Sequence, residues 1–273
     1  MEERTPVTVF FVSDHTGITA EVLGHSLLAR FEGLELRQVT RPFIDSAQKA
    51  QPVVQEIEEA ARNTQVLVFT TLTDRDILQR LSRAGAVLLD LFEPYLDTLA
   101  VELGRPPSQR VGRSHSIVNL ANYQARISAL DFALVTDDGL GANQYQNADI
   151  VLVGVSRVGK TPTCLYLGLQ YGIRASNYPL ADDDFERPAL PEPLAAHQHK
   201  LFGLSIDPLR LHHIRNERRP GSSYASLERC QYEVRQAERL FQTLGLPFLN
   251  TTTASVEEIA ATILQVAGLR RLY

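Results

Sequence analysis

The chain has 273 residues, enough for one large or two moderate domains, and its 44% hydrophobic and 22% charged residues are typical of a soluble globular protein. The formal net charge of −5 argues against nucleic acid or an anionic membrane as partner, and no apolar run approaches the roughly 20 residues of a membrane span. An acidic N-terminus and only two cysteines, Cys164 and Cys230, predict a cytoplasmic protein without a secretory signal and with both thiols in the core.

The first half of the chain alternates short strand-like runs with helix-like segments, which is typical of β-α units and a mainly parallel sheet. Strands are predicted at 7–12, 36–43, 65–70 and 86–91, and helices near 18–31, 46–62, 74–83, 94–103 and 119–132. The turn-rich stretch TDDGLGANQYQNAD (136–149) then interrupts this alternation. We therefore predict two domains, 1–145 and 146–273.

The first predicted strand ends in a short polar turn before a helix. This turn contains small hydroxyl residues, an acid and a glycine: Ser13, Asp14, Thr16 and Gly17. Such a turn at a helix N-terminus favours an anion-binding site, and simple N-capping explains it equally well. The loop GRSH (112–115) carries a histidine, which we interpret as a surface residue rather than a catalytic one.

The second half restarts the alternation of strands and helices. Strands are predicted at 149–155, 173–178, 200–206 and 247–250, and helices at 160–171, near 224–243 and at the end of the chain. The last helix is marked by the capping-box spacing Ser255-x-x-Glu258. The fold class is therefore predicted as α/β, with mainly parallel sheets in both domains.

The stretch GVSRVGKT (154–161) has P-loop spacing, and it lies between an apolar strand and a helix, as that pattern requires. Glycines let the backbone N–H groups turn toward phosphate, and the helix N-terminus adds its positive end. All eight residues are predicted to bind nucleotide: Gly154, Val155, Ser156, Arg157, Val158, Gly159, Lys160 and Thr161. Lys160 would neutralise the terminal phosphate, and Thr161 would ligate Mg²⁺ if a metal is used. The second domain is thus predicted to be kinase-like.

Residues outside the loop decide which kind of P-loop protein this is. The N-K-x-D motif of switch GTPases is absent from the sequence, and the Asp-x-x-Gly match from Asp138 to Gly141 lies before the loop, the wrong order for a switch. The acids Asp182 and Asp184 follow a predicted strand, where one carboxylate could accept a proton from a hydroxyl or hold Mg²⁺. A solvated acidic helix start is the alternative for each.

Three further groups carry alternatives that the sequence leaves open. Asp207 ends a strand, where it would order a metal if Mg²⁺ is used or would cap the next helix. Arg215, Arg218 and Arg219 share a helix face by spacing, which suits a lid over a phosphoryl group or a solvated basic face. The histidine pairs at 197/199 and 212/213 lack further ligands at useful spacing, so no zinc site is predicted.

Several stretches over nearly the whole chain resemble the phosphoenolpyruvate synthase regulatory proteins, relatives of the pyruvate, phosphate dikinase regulatory proteins. They include FFVSDHTGITAEVLGHSLLARF, VFTTLTDRDI, DLFEPYLDTLAVELG, KLFGLSIDPLRLHHIRNERRP and YASLERCQYEV. The most specific is GVSRVGKTPTCLYLGLQYGIRASNYPL. Val158 departs from the small polar residue expected there, with little consequence because backbone donors hold the phosphate.

The resemblance implies a bifunctional regulator of phosphoenolpyruvate synthase (pyruvate, water dikinase). It would phosphorylate a target threonine with ADP as donor, inactivating the enzyme, and would reverse this with inorganic phosphate, releasing pyrophosphate. Alternatives are the same activity on pyruvate, phosphate dikinase, a small-molecule P-loop kinase, and a nucleotide-sensing adaptor without enzymatic activity.

The predicted residues take these roles in the implied reaction. Asp182 or Asp184 would be the base, and Arg215, Arg218 or Arg219 would stabilise the transferring group. The first domain would dock the target and supply a possible anion site at its polar turn. A homodimer is expected, since closed two-fold dimers are the commonest assembly.

Overall fold

The computed structural model describes residues 6–107, 120–186 and 189–270. The chain divides into two compact units, Met1–Val118 and Asn119–Tyr273. Each unit contains a four-stranded sheet in which every strand pair is parallel, so the predicted α/β class is confirmed. The loop predicted to carry Arg113, Ser114 and His115 lies outside the described residues.

The first unit forms a sheet with strand order β2-β1-β3-β4. Its strands are β1 (Val7–Val12), β2 (Leu36–Arg41), β3 (Gln65–Thr70) and β4 (Val87–Asp90), and its helices are α1 (Ile18–Leu28), α2 (Ala47–Ala61), α3 (Arg75–Ser82) and α4 (Glu93–Leu103). Every residue of β1 is buried, as expected for a central parallel strand covered on both faces. Alternate β1 side chains enter two separate hydrophobic clusters, one containing Phe10 and Val12 and the other Val9 and Phe11.

The second unit forms a sheet with strand order β6-β5-β7-β8. Its strands are β5 (Ile150–Val155), β6 (Ala175–Leu180), β7 (Leu201–Ser205) and β8 (Phe248–Asn250). Its helices are α5 (Leu120–Val135), α6 (Lys160–Tyr171), α7 (Glu192–Ala195), α8 (Pro208–Arg218), α9 (Leu227–Thr243) and α10 (Val256–Val266). The capping box predicted at the last helix is confirmed, because Ser255 accepts from the Glu258 N–H and the Glu258 carboxylate accepts from the Ser255 N–H.

The division between the units differs from the predicted boundary at 145/146. Helix α5, which the sequence placed in the first domain, belongs to the second unit and packs closely on α6. A Cβ added at Gly168 of α6 would lie 3.0 Å from the Leu130 nitrogen and 3.1 Å from the Ala129 carbonyl oxygen. The turn-rich stretch forms two short 3₁₀ turns inside the second unit, so its composition marks a loop and not a boundary.

The sheet of the second unit presents the carboxyl ends of its four strands at one edge. The chain passes from β5 to β6 on one side and then to β7 on the other side, so the strand order reverses beside β5. Open α/β sheets bind ligands at such a reversal point, outside the carboxyl ends of the strands. The segment that leaves β5 at this edge is the predicted P-loop.

Both cysteines are buried in the second unit, as predicted. Burial raises the pKa of Cys164 and of Cys230, which keeps both thiols protonated. In the part of the chain that the structure describes, no helix combines the length and apolar character needed to cross a membrane.

Candidate functional site

The strand, loop and helix of the predicted P-loop occur in the expected order, with β5 ending at Val155 and α6 beginning at Lys160. The two glycines of the motif serve different purposes. Gly159, which precedes the helix, has a φ of 96°, a conformation that side chains with a Cβ rarely adopt. A Cβ on Gly154 would lie 2.4 Å from the Leu204 carbonyl oxygen, so this glycine permits the close approach of β5 to β7.

Lys160 lies beneath the loop and is only 5% exposed. Its Nζ donates to the Gly154 carbonyl at 2.8 Å and to the Val155 carbonyl at 2.9 Å. Burial lowers the pKa of Lys160 to about 8, although the nearby carboxylate of Asp138 acts in the opposite direction. The amine is therefore largely cationic at neutral pH and is held within the backbone of the loop.

A cleft of about 250 Å³ opens beside the loop, and we call it the phosphate cleft. Its lining residues are Asp138, Ser156, Arg157, Gly159, Lys160, Thr161 and Pro162. Arg157 and Lys160 supply two positive charges to this lining, and Asp138 supplies one negative charge. The N-terminus of α6 also lies here. Backbone N–H groups at a helix N-terminus together with lysine and arginine form an anion site, so the cleft suits a phosphate group.

The loop threonine is held by residues on the β6 side of the sheet. Thr161 Oγ1 donates to Asp137 Oδ1 at 2.8 Å, and Asn177 Nδ2 donates to the same oxygen at 2.5 Å. Asn177 is fully buried in β6, and its own Oδ1 accepts from the Asp138 N–H at 3.3 Å. A carboxylate is thus fixed directly against the hydroxyl of the motif.

These residues fit a Mg²⁺ ion. The Thr161 hydroxyl and the Asp137 carboxylate supply the hard oxygen ligands that Mg²⁺ prefers. Among the described residues, no group of three or more histidines, cysteines or acids could hold a metal by itself. Mg²⁺ at this position would therefore depend on phosphate oxygens to complete its ligands, as is usual in phosphoryl-transfer sites.

Asp138 differs from its neighbour because it is exposed and lines the phosphate cleft. Its φ of 50° lies in the left-handed region, where only a few per cent of non-glycine residues are found. Unfavourable backbone conformations of this kind cluster at functional sites. The Asp-x-x-Gly motif that begins at Asp138 precedes the loop in the chain, yet Asp138 and its neighbour Asp137 both lie at the loop in space.

The acids predicted after β6 have other partners. Asp182 pairs with the Arg229 guanidinium, and both side chains are partly exposed to solvent, Asp182 at 57% and Arg229 at 36%. Asp184 accepts from the Ala181 N–H at 2.8 Å and from the Tyr178 hydroxyl at 3.0 Å, which stabilises the 3₁₀ turn after the strand. These contacts correspond to the alternative of an acidic helix start.

Asp207 caps helix α8. Its Oδ1 accepts from the Leu209 N–H at 2.9 Å and from the Arg210 N–H at 3.0 Å, so the capping alternative describes its position. The described lining of the phosphate cleft does not include Asp182, Asp184 or Asp207. The proposed metal and base roles of these three acids stay predictions.

Arg215 does not share an exposed face with the other two predicted arginines. It is completely buried, whereas Arg218 and Arg219 are exposed at the end of α8. Its Nη2 donates to the Ser156 carbonyl at 3.1 Å and to Glu233 at 2.6 Å. Such burial does not fit a mobile lid, because the side chain supports the P-loop from the side of the core.

Tyr224 completes this support and was missed by sequence reasoning. Its hydroxyl donates to Ser156 Oγ at 2.9 Å, and its ring lies 4.1 Å from the Arg215 guanidinium carbon, within range of a cation–π interaction. The Tyr224 carbonyl also accepts from Arg215 Nη1 at 3.1 Å. Both the backbone and the side chain of Ser156 are therefore fixed before any ligand binds.

Replacing Glu233 with leucine is expected to destabilise the protein by about 3–5 kcal/mol, because it leaves the buried Arg215 charge without its counterion. Urea denaturation followed by circular dichroism measures the change. The double variant Arg215→Met/Glu233→Leu should recover much of the loss. The same substitution at the exposed Glu217, Glu217→Leu, serves as control and should stay within about 0.5 kcal/mol. A Glu233→Leu protein as stable as this control would contradict the assignment.

The polar turn of the first unit is closed by its own hydrogen bonds. Ser13 Oγ accepts from the Thr71 hydroxyl at 3.0 Å, and the Asp14 carboxylate accepts from Thr73 Oγ1 at 3.1 Å. Gly17 precedes α1 with a φ of 82°, and no side chain caps the helix there. The turn thus ties the end of β1 to the segment after β3, and its predicted anion site stays a prediction.

The chain is similar to known proteins over nearly its whole length. The sequence model of a family described as kinase/pyrophosphorylase matches residues 9–264. A relative from Deinococcus radiodurans is 55% identical over 95% of this chain and 94% of its own length. Relatives from Pseudomonas fluorescens Pf0-1 and Ectopseudomonas mendocina are 51% and 52% identical, over 97% of this chain and 98% of theirs. All three carry the provisional name phosphoenolpyruvate synthase regulatory protein.

Proposed function

The chain belongs to the kinase/pyrophosphorylase family, and from this premise we propose that it is a bifunctional regulator of phosphoenolpyruvate synthase. In one direction it transfers the β-phosphoryl group of ADP to a threonine hydroxyl of the synthase, which inactivates it. In the other direction inorganic phosphate attacks the phosphothreonine, which restores the hydroxyl and releases pyrophosphate. The family description supports both reactions, and the names of the relatives support this target.

One feature of the site carries the proposal, namely a single phosphate cleft built around a buried lysine. ADP and pyrophosphate are both diphosphates, and each is a reactant or product of one of the two reactions. A cradle formed by the loop backbone, Lys160 and the N-terminus of α6 suits the diphosphate group that they share. One site can therefore serve both directions.

The kinase reaction needs a base, and Asp138 is our candidate. In the forward direction its carboxylate takes the proton of the threonine hydroxyl while the threonine oxygen bonds to the β-phosphorus and the bond to AMP breaks. In reverse, an oxygen of inorganic phosphate attacks the phosphothreonine, and the departing threonine oxygen regains the proton. Asp138 is favoured over Asp182 and Asp184 because it alone of the three lines the phosphate cleft.

Asp137 and Thr161 would hold Mg²⁺ when it is present, and the ion would neutralise charge on the phosphate oxygens. The remaining work belongs to the side chains of the chain itself. Asn177 fixes the Asp137 carboxylate, and Arg215 with Tyr224 fixes Ser156. This network keeps the cleft in its binding shape, and such preorganisation is the main contribution that a protein makes to phosphoryl transfer.

The first unit is proposed to dock the synthase. Helix α1, the segment that follows it and helix α4 expose large apolar side chains, among them Val22 at 61%, Phe31 at 65%, Tyr95 at 64% and Val101 at 79% exposed. Helix α4 has no buried residue along its length. Large apolar side chains left exposed on a helix are typical of protein interaction surfaces. We further propose that the protein acts in the cytoplasm as a homodimer.

One assay tests the proposed function. The purified protein is incubated with phosphoenolpyruvate synthase and either ADP or ATP, and the synthase is analysed by mass spectrometry. Phosphothreonine should appear with ADP, and inorganic phosphate should then remove it with release of one pyrophosphate per threonine. Inhibition of the synthase without phosphorylation would instead identify an adaptor. ATP-dependent phosphorylation of a small molecule would identify a small-molecule kinase.

A further inference from the structure

A second cleft of about 250 Å³ lies on the other side of the P-loop, between the segments that follow β7 and β8. We propose that this side cleft binds the nucleoside of the nucleoside diphosphate and so determines which donor the enzyme accepts. The inference rests on the proposed function, since it assumes that the phosphate cleft holds the diphosphate.

The side cleft adjoins the phosphate cleft. Arg157, Gly159 and Pro162 line both of them. Arg157 has a φ of 78° and is exposed at the crest of the loop, between the two clefts. A ligand with its terminal phosphates in the first cleft would therefore place its next groups over Pro162 and into the second.

The lining of the side cleft suits a nucleoside. Aliphatic side chains form its walls, including Ile206, Ile214, Val256 and Ile259. Among its described lining residues there is no acid, and the guanidinium groups of Arg157 and Arg210 supply its charge. Nucleobases have flat faces that pack on aliphatic groups and on guanidinium planes, and the attached phosphate favours a cationic neighbourhood.

The wall formed by the segment after β8 is fixed relative to the P-loop. The Thr251 hydroxyl lies 3.0 Å from the carbonyl oxygens of Val158 and Ser205, and its single proton is shared between these two acceptors. The Thr252 hydroxyl accepts from the Asp207 N–H at 2.7 Å. Ala254, on the same segment, contributes the smallest side chain of the wall. A preformed cleft of this kind binds without the cost of ordering a loop.

A bulky side chain in the side cleft should weaken the binding of ADP and leave the binding of pyrophosphate unchanged. We expect the Ala254→Phe substitution to raise the Kd for ADP at least about tenfold while changing that for inorganic pyrophosphate less than about twofold. Isothermal titration calorimetry on the full chain measures both ligands. Thr253→Phe is the matched control, because it adds the same bulk one residue earlier, on an exposed side chain outside the described cleft lining.

A second variant guards against a folding defect. Arg210→Ala removes an exposed side chain of the same cleft and should also weaken ADP selectively, about threefold or more. Equal loss of both ligands, or unchanged ADP affinity in both variants, would overturn the inference. Lys160→Met separates this failure from that of the proposed function. If Lys160→Met abolishes binding of both ligands while Ala254→Phe has no selective effect, only the side cleft is refuted. If Lys160→Met leaves ADP binding unchanged, the proposed phosphate site itself is refuted.

Discussion

Replacing Lys160 with methionine is expected to weaken the binding of ADP and of pyrophosphate at least about 100-fold. It should also slow both the kinase reaction and the phosphorolysis reaction about 10³-fold. Methionine fills a similar volume but lacks the charge that the diphosphate would meet. The buried amine also holds the loop backbone in place, because it donates to the carbonyls of Gly154 and Val155. Both reactions should fall together, because a shared diphosphate site serves them.

A second, partly buried lysine provides the matched control. Lys200 also donates to backbone carbonyls in the same unit, those of Gln146 and Ala148, each at 2.8 Å, but it does not line either cleft beside the P-loop. Lys200→Met should therefore leave ligand binding unchanged, even if it lowers stability. Titration calorimetry and the two activity assays distinguish the variants. ADP-dependent phosphorylation by the Lys160→Met protein at the normal rate would contradict the shared site.

The sequence predicted the centre of the second unit well because its signals are local. An apolar run followed by glycines places β5 and α6 within one residue of the predicted bounds, and residues of the P-loop pattern line the cleft that we propose as the phosphate site. The strand predicted at 173–178 lies instead at Ala175–Leu180. Pro179 lies within this strand, and β6 is the edge strand of its sheet, where a proline is tolerated.

The residues that the sequence missed are those brought to the site by the fold alone. Asp137 and Asp138 precede the P-loop in the chain, whereas the acids predicted to act at the site all follow it. Because α5 packs on α6, the acids that follow α5 lie beside the loop that precedes α6. No local sequence pattern predicts that contact. The spacing of Arg215, Arg218 and Arg219 likewise could not indicate that the first is buried, because burial depends on the position of α9 and Glu233.

Asparagine in place of Asp138 is expected to slow phosphorylation of the synthase about 10²–10³-fold while changing ADP affinity less than about threefold. The substitution removes the basic carboxylate with little change in shape. Asparagine also tolerates the left-handed conformation found at this position, so the backbone turn and its N–H bond to Asn177 should persist. The reverse reaction should slow to a similar extent, because the same group returns the proton to the threonine oxygen.

The comparison with other acids makes this test specific. Asp183→Asn, on an exposed residue of the turn after β6, should have no effect on rate, and Asp182→Asn and Asp184→Asn should have little. Rates should be measured near pH 7. The negative charge of Asp138 raises the pKa of Lys160, which is about 8, so replacing Asp138 with asparagine lowers the pKa of the lysine. The Kd for ADP, measured at the same pH, shows whether the lysine still carries its charge, so a loss of rate at unchanged ADP affinity reports the missing base. If Asp184→Asn instead abolished turnover while Asp138→Asn remained active, the base would lie on the turn after β6, and the cleft beside the loop would bind the donor without supplying the proton acceptor.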